Sequence, residues 1–541
     1  MADEIQMFTK PGCSHCAKAK AILKARGLRW HDHDVTASAE AEAAARYLSG
    51  SPLVPQIFAG RHLIGGAEEL ERLDTGGLLD RVLQSALGAR ADLEYPHGAA
   101  LTDDVADVSL ATRIPKSDGT HDDDPETWPL LHFYKAFFGF WPNTFAYLHH
   151  WPEAYKLFVY CHNFSAVGLG RQILGDEMMF AIAYSTSNAQ GCSYCQTHSA
   201  AIGGRRSLQV VADTRKVLDH DAPVAGGRFD AYQRLLIGLA ARASRNTVGT
   251  ELIGKIRTQA TAAGRDVEAD LTGTSMVVSA FGFLNVFNDL VGMDIEGDWA
   301  RSAQQAGIAP GRHGVETGNP DNLDHPLPDG GPSMQDMLTA YDARVGDPAA
   351  YARRELGLYP AWMADWPAPL GARHAYLYGE LTGSRDHCML ESELKHLMAR
   401  VSAIAKGHDY LAAVEAFIAH HAARDRPRAI RRIRACYAVA IGLDDGANLF
   451  TPAERAALTV AWLSAQIPLT TPRRFILPAL DHYGPAALIH LFTVCGIASL
   501  LQRHVAIHPQ ILEPEVTAFL AQNGLERDTL RLRHPLAGSR P

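Results

Sequence analysis

Two pairs of cysteines have the spacing at which a dithiol can form and break a disulfide, Cys13-Ser-His-Cys16 and Cys192-Ser-Tyr-Cys195. Each pair stands where a turn passes into a helix, because Pro11-Gly12 precedes the first and Asn188-Ala-Gln-Gly191 precedes the second. A thiolate is stabilised at a helix N-terminus by the partial positive charge there. Two such dithiols in one chain predict a relay that passes electrons between them.

At the first pair, Cys13 is the expected nucleophile and Cys16, one turn into the helix, the resolving thiol. Lys10, Lys18 and Lys20 would add positive potential. The alternative is half of a zinc site, completed by His31 and His33, but His31-Asp-His-Asp34 alternates as a strand does. A haem attachment site is excluded, because Ala17 stands where that site requires histidine.

At the second pair, His198 shares a helical face with Cys195 through i,i+3 spacing and could exchange a proton with it. Glu177 lies on the preceding helix, in an apolar setting expected to raise its pKa. The alternatives are a surface carboxylate for Glu177 and a core histidine for His198. Which cysteine attacks is left open, since Cys192 has the helix terminus and Cys195 the closer histidine.

Periodicity divides the chain into an α/β unit and two helical regions. Residues 1–88 alternate strands, including a hairpin around Gly60, with helices, and Gly65-Gly66 opens the last helix. The stretch 89–127 is polar and aperiodic and predicts a solvated linker. The remaining boundaries are a helical region over 128–310, a linker over 311–347, a helical region over 348–525 and a polar tail over 526–541.

The two helical regions look like copies of one unit. Gly139-Phe-Trp-Pro142 matches Gly357-Leu-Tyr-Pro360, and Glu177 precedes Cys192 by the same interval that separates Glu393 from His408. The second copy has His408 and Leu411 where the first has its cysteines. It therefore lacks the dithiol.

Composition indicates a globular chain without nucleic-acid or membrane partners. The 541 residues suggest about three domains, with 47% hydrophobic and 21% charged residues. The net charge of −9 comes with no basic stripe. The N-terminus has no apolar signal core, and Pro485–Leu501 predicts a buried helix. Eight cysteines in a chain of this length indicate reduced thiols in the cytoplasm.

Three motifs in the α/β unit resemble the glutaredoxin family: Thr9-Lys-Pro-Gly-Cys-Ser-His-Cys16, Leu53-Val-Pro55 and Gly65-Gly-Ala-Glu-Glu69. The resemblance covers about 85 residues and implies a thioredoxin fold, a cis Val54–Pro55 bond and glutathione as the reductant. It implies a glutathione site at Lys10, Cys13, His15, Val54, Pro55, Gly66, Ala67 and Glu68.

The first helical region resembles the carboxymuconolactone decarboxylase-like superfamily, in its alkyl hydroperoxidase D type. The likeness rests on Glu177, on Gly191-Cys-Ser-Tyr-Cys-Gln-Thr-His-Ser199 and on the segment 281–292. It implies a proton relay of Glu177, Cys192, Cys195 and His198 that reduces peroxides or peroxiredoxin disulfides. The spacing departs from the family pattern, which would place the glutamate at Phe180 and the histidine at Ser199.

Together these features predict a multidomain protein, an α/β thioredoxin fold followed by all-α domains of the hydroperoxidase D type. The expected function is a glutathione-linked disulfide reductase or peroxidase. Electrons would pass from glutathione through Cys13/Cys16 to Cys192/Cys195 and then to a hydroperoxide or a protein disulfide. No tightly bound cofactor or metal is expected, and a homo-oligomer through the helical domains is left open. The alternatives are a non-redox lyase and a redox-regulated adaptor.

Overall fold

The computed structural model describes residues 5–88, 92–117, 127–219, 227–317 and 333–535. It begins with the expected α/β unit. Its elements are β1 (Ile5–Thr9), α1 (Ser14–Ala25), β2 (Trp30–Asp34), α2 (Ala39–Ser49), β3 (Gln56–Ala59), β4 (His62–Gly65), α3 (Ala67–Thr75) and α4 (Leu79–Gly88). The alternation of strands and helices and the hairpin around Gly60 agree with the sequence prediction. The end of the unit differs, because two helices follow Gly66 rather than one.

The sheet has the strand order β2-β1-β3-β4. β1 pairs with β2 in parallel and with β3 antiparallel, and β3 and β4 form the hairpin. The parallel pair requires a crossover helix, which is α1. This crossover places the first dithiol at the end of β1, beside the segment that enters β3.

Parts of the stretch predicted as a solvated linker are folded and buried. Residues 92–117 contain α5 (Ala99–Asp104) and a short 3₁₀ turn, Leu110–Thr112. Leu101, Leu110 and Ile114 are buried. The expectation of a solvated segment is therefore wrong for these residues, because their few apolar side chains pack into neighbouring cores. The three aspartates at 122–124, within the same predicted linker, lie outside the described residues.

Helices make up the rest of the described chain. The first set is α6 (Thr127–Phe138), α7 (Asn143–Leu148), α8 (Pro152–Phe158), a π-helical stretch Val159–Val167, α9 (Gly168–Leu174), α10 (Asp176–Gln190), α11 (Ser193–Ala201), α12 (Gly204–Asp219), α13 (Ala231–Ser244), α14 (Thr250–Ala262), α15 (Val267–Val291) and α16 (Gly297–Gln304).

The second set is α17 (Met334–Val345), α18 (Pro348–Leu356), α19 (Ala361–Ala364), α20 (Leu370–Thr382), α21 (Ser392–Lys406), α22 (Asp409–Ala422), α23 (Arg426–Ala440), α24 (Pro452–Ser464), α25 (Arg473–His482), α26 (Pro485–Ile507), α27 (Pro514–Gln522) and α28 (Thr529–Arg533). The six helices α10 to α15 of the first set correspond in order to the six helices α21 to α26 of the second, and each of these two runs ends in the longest helix of its set.

These two longest helices, α15 and α26, lie antiparallel against each other at the centre of the helical body. Gly282 approaches α26 so closely that a Cβ would lie 2.7 Å from Arg503, and one on Gly496 would lie 2.8 Å from Phe283. Both helices are long and apolar enough to cross a membrane, but 89% of each apolar window is buried inside the protein. The prediction of a buried helix over Pro485–Leu501 is confirmed.

The α/β unit contacts the second helical set. Glu69 at the start of α3 accepts hydrogen bonds from Arg533 Nε at 2.7 Å and from His534 Nε2 at 2.9 Å. Arg474 donates to the carbonyl of Tyr47 at 2.6 Å and stacks over its ring. The segment predicted as a polar tail thus supplies a buried arginine and histidine that join two parts of the chain.

The carboxylate of Glu69 should make the stability of this contact depend on pH. Burial alone would raise its pKa, but His534 and Arg533 lower it from 4.5 to about 2. A lowered pKa stabilises the folded state above pH 4.5, and this stabilisation is lost as the pH falls towards 2. We expect Glu69→Gln to lower the free energy of unfolding by about 3 kcal/mol at neutral pH in urea titrations.

The matched control is Glu71→Gln, because Glu71 lies on the same helix with its side chain 44% exposed in an ion pair with Lys18. We expect Glu71→Gln to change the free energy of unfolding by no more than about 0.5 kcal/mol. The difference between wild type and Glu69→Gln should shrink below pH 4.5. A difference in unfolding free energy that does not change with pH would contradict a stabilising role for the ionised carboxylate of Glu69.

Candidate functional site

The first dithiol lies at the N-terminus of α1, as the sequence predicts. Cys13 caps this helix, and its Sγ accepts a hydrogen bond from the backbone N–H of Cys16 at 3.1 Å. Cys13 is half-buried, whereas Cys16 is buried. Burial raises the pKa of Cys16 to about 11, with a further increase from its contact with Cys13. Cys13 is therefore the sulfur that a dissolved thiol can reach, and Cys16 is suited to resolve a mixed disulfide.

The lysines near this dithiol differ in their ion pairs. Lys18 is paired with Glu71 and Lys20 with Asp32. Lys10 is exposed and has no ion pair among the described residues. The positive potential expected from three lysines is thus reduced to that of Lys10.

The histidines considered as zinc ligands lie on β2. His33 Nε2 is 2.8 Å from Gln6 Oε1, and its ring stacks on Phe8. The described residues contain no group of three metal-type side chains at Cys13 and Cys16. The geometry therefore favours redox chemistry over half of a zinc site.

The residues expected to receive glutathione surround Cys13 in part. Cys13 Sγ lies 3.8 Å from the carbonyl oxygen of Val54, and the Val54–Pro55 bond is cis. A Cβ on Gly66, which begins α3, would lie 3.6 Å from the carbonyl oxygen of Pro55. The other expected residues are Ala67, which is buried, and Lys10, His15 and Glu68, which are exposed.

The second dithiol repeats the local geometry of the first. Cys192 caps α11, and its Sγ accepts a hydrogen bond from the N–H of Cys195 at 3.5 Å. Gly191 has φ 87°, and a Cβ there would lie 2.9 Å from Pro468, so the turn requires glycine. The two dithiols differ in their exposure to solvent, because Cys192 and Cys195 are only 0% and 2% exposed.

Three polar side chains from outside the motif meet these sulfurs. Asn288 Nδ2 lies 3.2 Å from Cys195 Sγ. The polar atoms of Cys192, Asp289 and His313 lie within 4.8 Å of one another, and all three residues are buried. Asp289 belongs to α15, whereas His313 belongs to a stretch that the sequence assigned to a linker.

His313 is held as a cation. Its Nδ1 lies 2.7 Å from the carbonyl oxygen of Met293 and its Nε2 lies 3.0 Å from Asp289 Oδ1. Both partners are acceptors, so both ring nitrogens donate. Burial alone would lower the pKa of His313, but Asp289 and Cys192 raise it to about 9.

Opposing interactions act on the pKa of the Cys192 thiol. Burial raises its pKa well above 9, and Cys195 and the charge of Asp289 raise it further. The contact with His313 acts in the opposite direction. Cys192 is thus kept protonated while it is closed from solvent, beside a cation that can stabilise a thiolate once one forms.

His198 contacts a carboxylate that the sequence analysis missed. Its Nε2 lies 2.7 Å from Glu296 Oε2, and Glu296 is fully buried. Burial would raise the pKa of Glu296, but His198 and the N–H of Asn143 lower it. The hydrogen bond of His198 Nε2 is therefore made to Glu296 and not to a cysteine.

Glu177 is not brought to the dithiol. It lies at the opposite end of α10, about 20 Å along the helix axis from the turn at Gly191. Its side chain is 37% exposed and is paired with Arg228 at 3.0 Å and Arg206 at 3.6 Å. The expected apolar setting is wrong, and Glu177 is the surface carboxylate given as the alternative.

Comparison with known proteins identifies the α/β unit. The glutaredoxin family profile matches residues 5–64. A glutaredoxin of Neisseria meningitidis serogroup B is 45% identical over 80 residues, which are 15% of this chain and 94% of that protein. Glutaredoxin 3 of Escherichia coli K12 is 34% identical over 80 residues, covering 15% of this chain and 96% of that protein.

The chain belongs to the glutaredoxin family through its N-terminal domain. That domain supports thiol–disulfide oxidoreductase activity. A hybrid peroxiredoxin, hyPrx5 of Haemophilus influenzae, is 42% identical over 74 residues, 13% of this chain. The chain spans only 29% of the length of that relative. These similarities fall in the glutaredoxin domain, and the resemblance of the helical body to alkyl hydroperoxidase D stays a prediction.

The second helical set contains the same supporting network without the reactive groups. In the first set, Tyr194 donates to Glu296 at 2.9 Å, and Glu296 also binds the N–H of Asn143. In the second, Tyr410 donates to Glu513 at 2.7 Å, and Glu513 binds the N–H of Ala361. The tyrosine–glutamate pair is thus common to both sets. His198, whose counterpart by constant offset is Val414, occurs only beside the dithiol.

The sequence held weak signals for the missed residues. Asp289 lies within the segment 281–292 that carried the resemblance, and His313 follows this segment in a Gly- and Pro-rich stretch. A polar pocket of about 260 Å³ lies against α11, with Ser193, Gln196 and Arg215 in its wall. Neither cysteine lines it. The pocket therefore gives a ligand no direct path to the sulfurs in this conformation.

Proposed function

We propose that this protein is a glutathione-dependent thiol–disulfide oxidoreductase in which the glutaredoxin domain reduces the dithiol of the helical body. The body then reduces a hydroperoxide or a peroxiredoxin-type disulfide. The observation that carries the proposal is the shared geometry of the two dithiols, in which the first cysteine caps a helix and accepts the N–H of the second. We place the protein in the cytoplasm, where glutathione keeps thiols reduced.

The electrons are supplied by glutathione. Two glutathione thiols become glutathione disulfide while the Cys13–Cys16 disulfide takes up two electrons and two protons. The Cys13 thiolate then attacks a Cys192–Cys195 disulfide, and Cys16 displaces the mixed disulfide that results. The reduced pair transfers its two electrons to a hydroperoxide, giving an alcohol and water and restoring the Cys192–Cys195 disulfide.

This transfer requires the second dithiol to open. Ser193 next to Cys192 donates a hydrogen bond to the carbonyl of Pro310, and a Cβ on Gly311 would touch the Ser193 hydroxyl. His313 follows in the same segment. We propose that this segment moves away from α11 when the two dithiols react.

The second helical set has a supporting role in this proposal. It lacks the dithiol, shares the tyrosine–glutamate pair of the first set and contacts the glutaredoxin domain through Glu69 and Arg533. The repeated helix order supports a duplication in which one copy kept the chemistry. The similarity to a hybrid peroxiredoxin is consistent with a glutaredoxin domain joined to a peroxidase.

Trapping a mixed disulfide tests the relay. Cys16→Ser removes the thiol that resolves the intermediate, so oxidised Cys16→Ser protein should accumulate a disulfide between Cys13 and a cysteine of the second motif. Peptide mapping under non-reducing conditions identifies the pair. We expect the linkage in more than about half of the molecules at equilibrium, because the domains are tethered in one chain.

Two double variants sharpen this test. Each adds Cys192→Ser or Cys195→Ser to Cys16→Ser. The disulfide to Cys13 should be lost when the added serine replaces the cysteine that is attacked, and retained when it replaces the other. If Cys13 is linked only to glutathione in all three proteins, the internal relay is wrong. An absence of peroxide turnover with every thiol intact would instead favour the adaptor.

A further inference from the structure

A second group of potential metal ligands lies in the second helical set, outside both dithiols. His504 is on the last turns of α26, and His508 caps the end of that helix. Asp365 caps the end of α19. The i,i+4 spacing places both histidines on one face of the helix, towards Asp365. The proposed electron path uses none of these residues.

The distances suit a tetrahedral cation. His504 Nε2 lies 3.1 Å and His508 Nδ1 lies 3.6 Å from Asp365 Oδ2. One ligand atom from each of the three residues lies within 4.8 Å of the others. Ligands bound to zinc at about 2.0–2.1 Å are separated by about 3.3 Å in a tetrahedron. Both imidazole nitrogens already stand near that separation from the Asp365 oxygen.

The chemistry of His504 also fits a ligand. Its Nδ1 lies 2.9 Å from Ser275 Oγ, which leaves Nε2 directed towards Asp365. That Nε2 is buried and makes no hydrogen bond of normal geometry. Trp366 stacks on the ring at 4.0 Å and fixes its orientation.

We propose that Asp365, His504 and His508 bind a divalent cation of the zinc class, with water as the fourth ligand. Two imidazoles and one carboxylate favour zinc over the all-oxygen sites of calcium and magnesium. The Asp365 side chain is 33% exposed and that of His508 17%, so the site opens to solvent. His313 differs, because both of its nitrogens are already used as donors.

Cobalt(II) binding to the full chain tests the proposal, because cobalt replaces zinc in such sites and reports its ligands by absorption. We expect one equivalent with tetrahedral d–d bands and no thiolate charge-transfer band, displaced by zinc. His508→Gln and Asp365→Asn should each weaken binding by roughly 100-fold or more. Both residues are partly exposed, and circular dichroism verifies that the variants fold.

Two controls separate this site from the others. His482→Gln changes an exposed histidine on α25 and should leave cobalt binding unchanged. Cys192→Ser should also leave it unchanged. The proposal is overturned if wild type binds no cobalt, if both ligand variants bind as wild type does, or if the spectrum shows a thiolate band that Cys192→Ser removes.

Discussion

Replacing Cys13 with serine is expected to lower glutathione-dependent disulfide reduction by roughly three orders of magnitude or more, because the reaction loses its only accessible nucleophile in the first motif. Cys16 does not replace it, since it is buried and its pKa is raised to about 11. The measurement is reduction of a small mixed disulfide of glutathione, coupled to NADPH through glutathione reductase.

Cys16→Ser is the matched control for this prediction. Cys13 alone can take the glutathionyl group from the substrate, and a second glutathione can release it, so this variant should keep most of the activity. Cys192→Ser should retain full activity in the same assay, because the helical dithiol lies downstream of the glutaredoxin domain in the proposed path. Substantial activity in Cys13→Ser would place the nucleophile elsewhere and remove the first step of the proposed path.

The glutaredoxin fold was predictable because its determinants are local. The short apolar segments of β1 and β3, the turn at Gly60 and the cysteine that follows Pro11-Gly12 are all short-range patterns. The same holds for the two helix-capping cysteines, since a cap depends on residues within one turn. The expectation of a solvated linker was wrong because Leu110 and Ile114 are buried by elements far along the chain.

The surroundings of the second dithiol were not predictable in the same way. Asp289 and His313 reach Cys192 through packing of α15 and of the segment after α16. No spacing rule relates them to the cysteines. Glu177 shows the opposite error. Its place on the helix before the dithiol suggested that it lies near the cysteines, but α10 is long and Glu177 lies at its far end. The cysteine spacing and the turn before it located the dithiol, and tertiary packing determined its charged neighbours.

Cys192→Ser is expected to lower glutathione-dependent hydroperoxide turnover at least roughly 100-fold, while disulfide reduction by the glutaredoxin domain is unchanged. The reason is that peroxide reduction needs two thiols that close into a disulfide. Cys195→Ser should have a comparable effect. The measurement is NADPH oxidation with an organic hydroperoxide, in the presence of glutathione and glutathione reductase.

The duplication supplies the matched control, because His408 stands in the second set where Cys192 stands in the first and is also buried. His408→Ser alters a similar helix start. We expect it to keep peroxide turnover within about twofold of wild type, because the second set has no dithiol. An equal loss in His408→Ser and Cys192→Ser would therefore assign the dithiol a structural role.

His313→Gln then distinguishes a thiol that merely fills space from one assisted by charge. The pKa of His313 is raised to about 9, so its positive charge is present at neutral pH and is lost as the pH rises through that value. We expect this variant to slow peroxide turnover roughly 10-fold at pH 7, with the deficit disappearing above about pH 9. A purely packing role for His313 would give a deficit that does not change with pH, because a glutamine side chain fills the same space equally poorly at every pH.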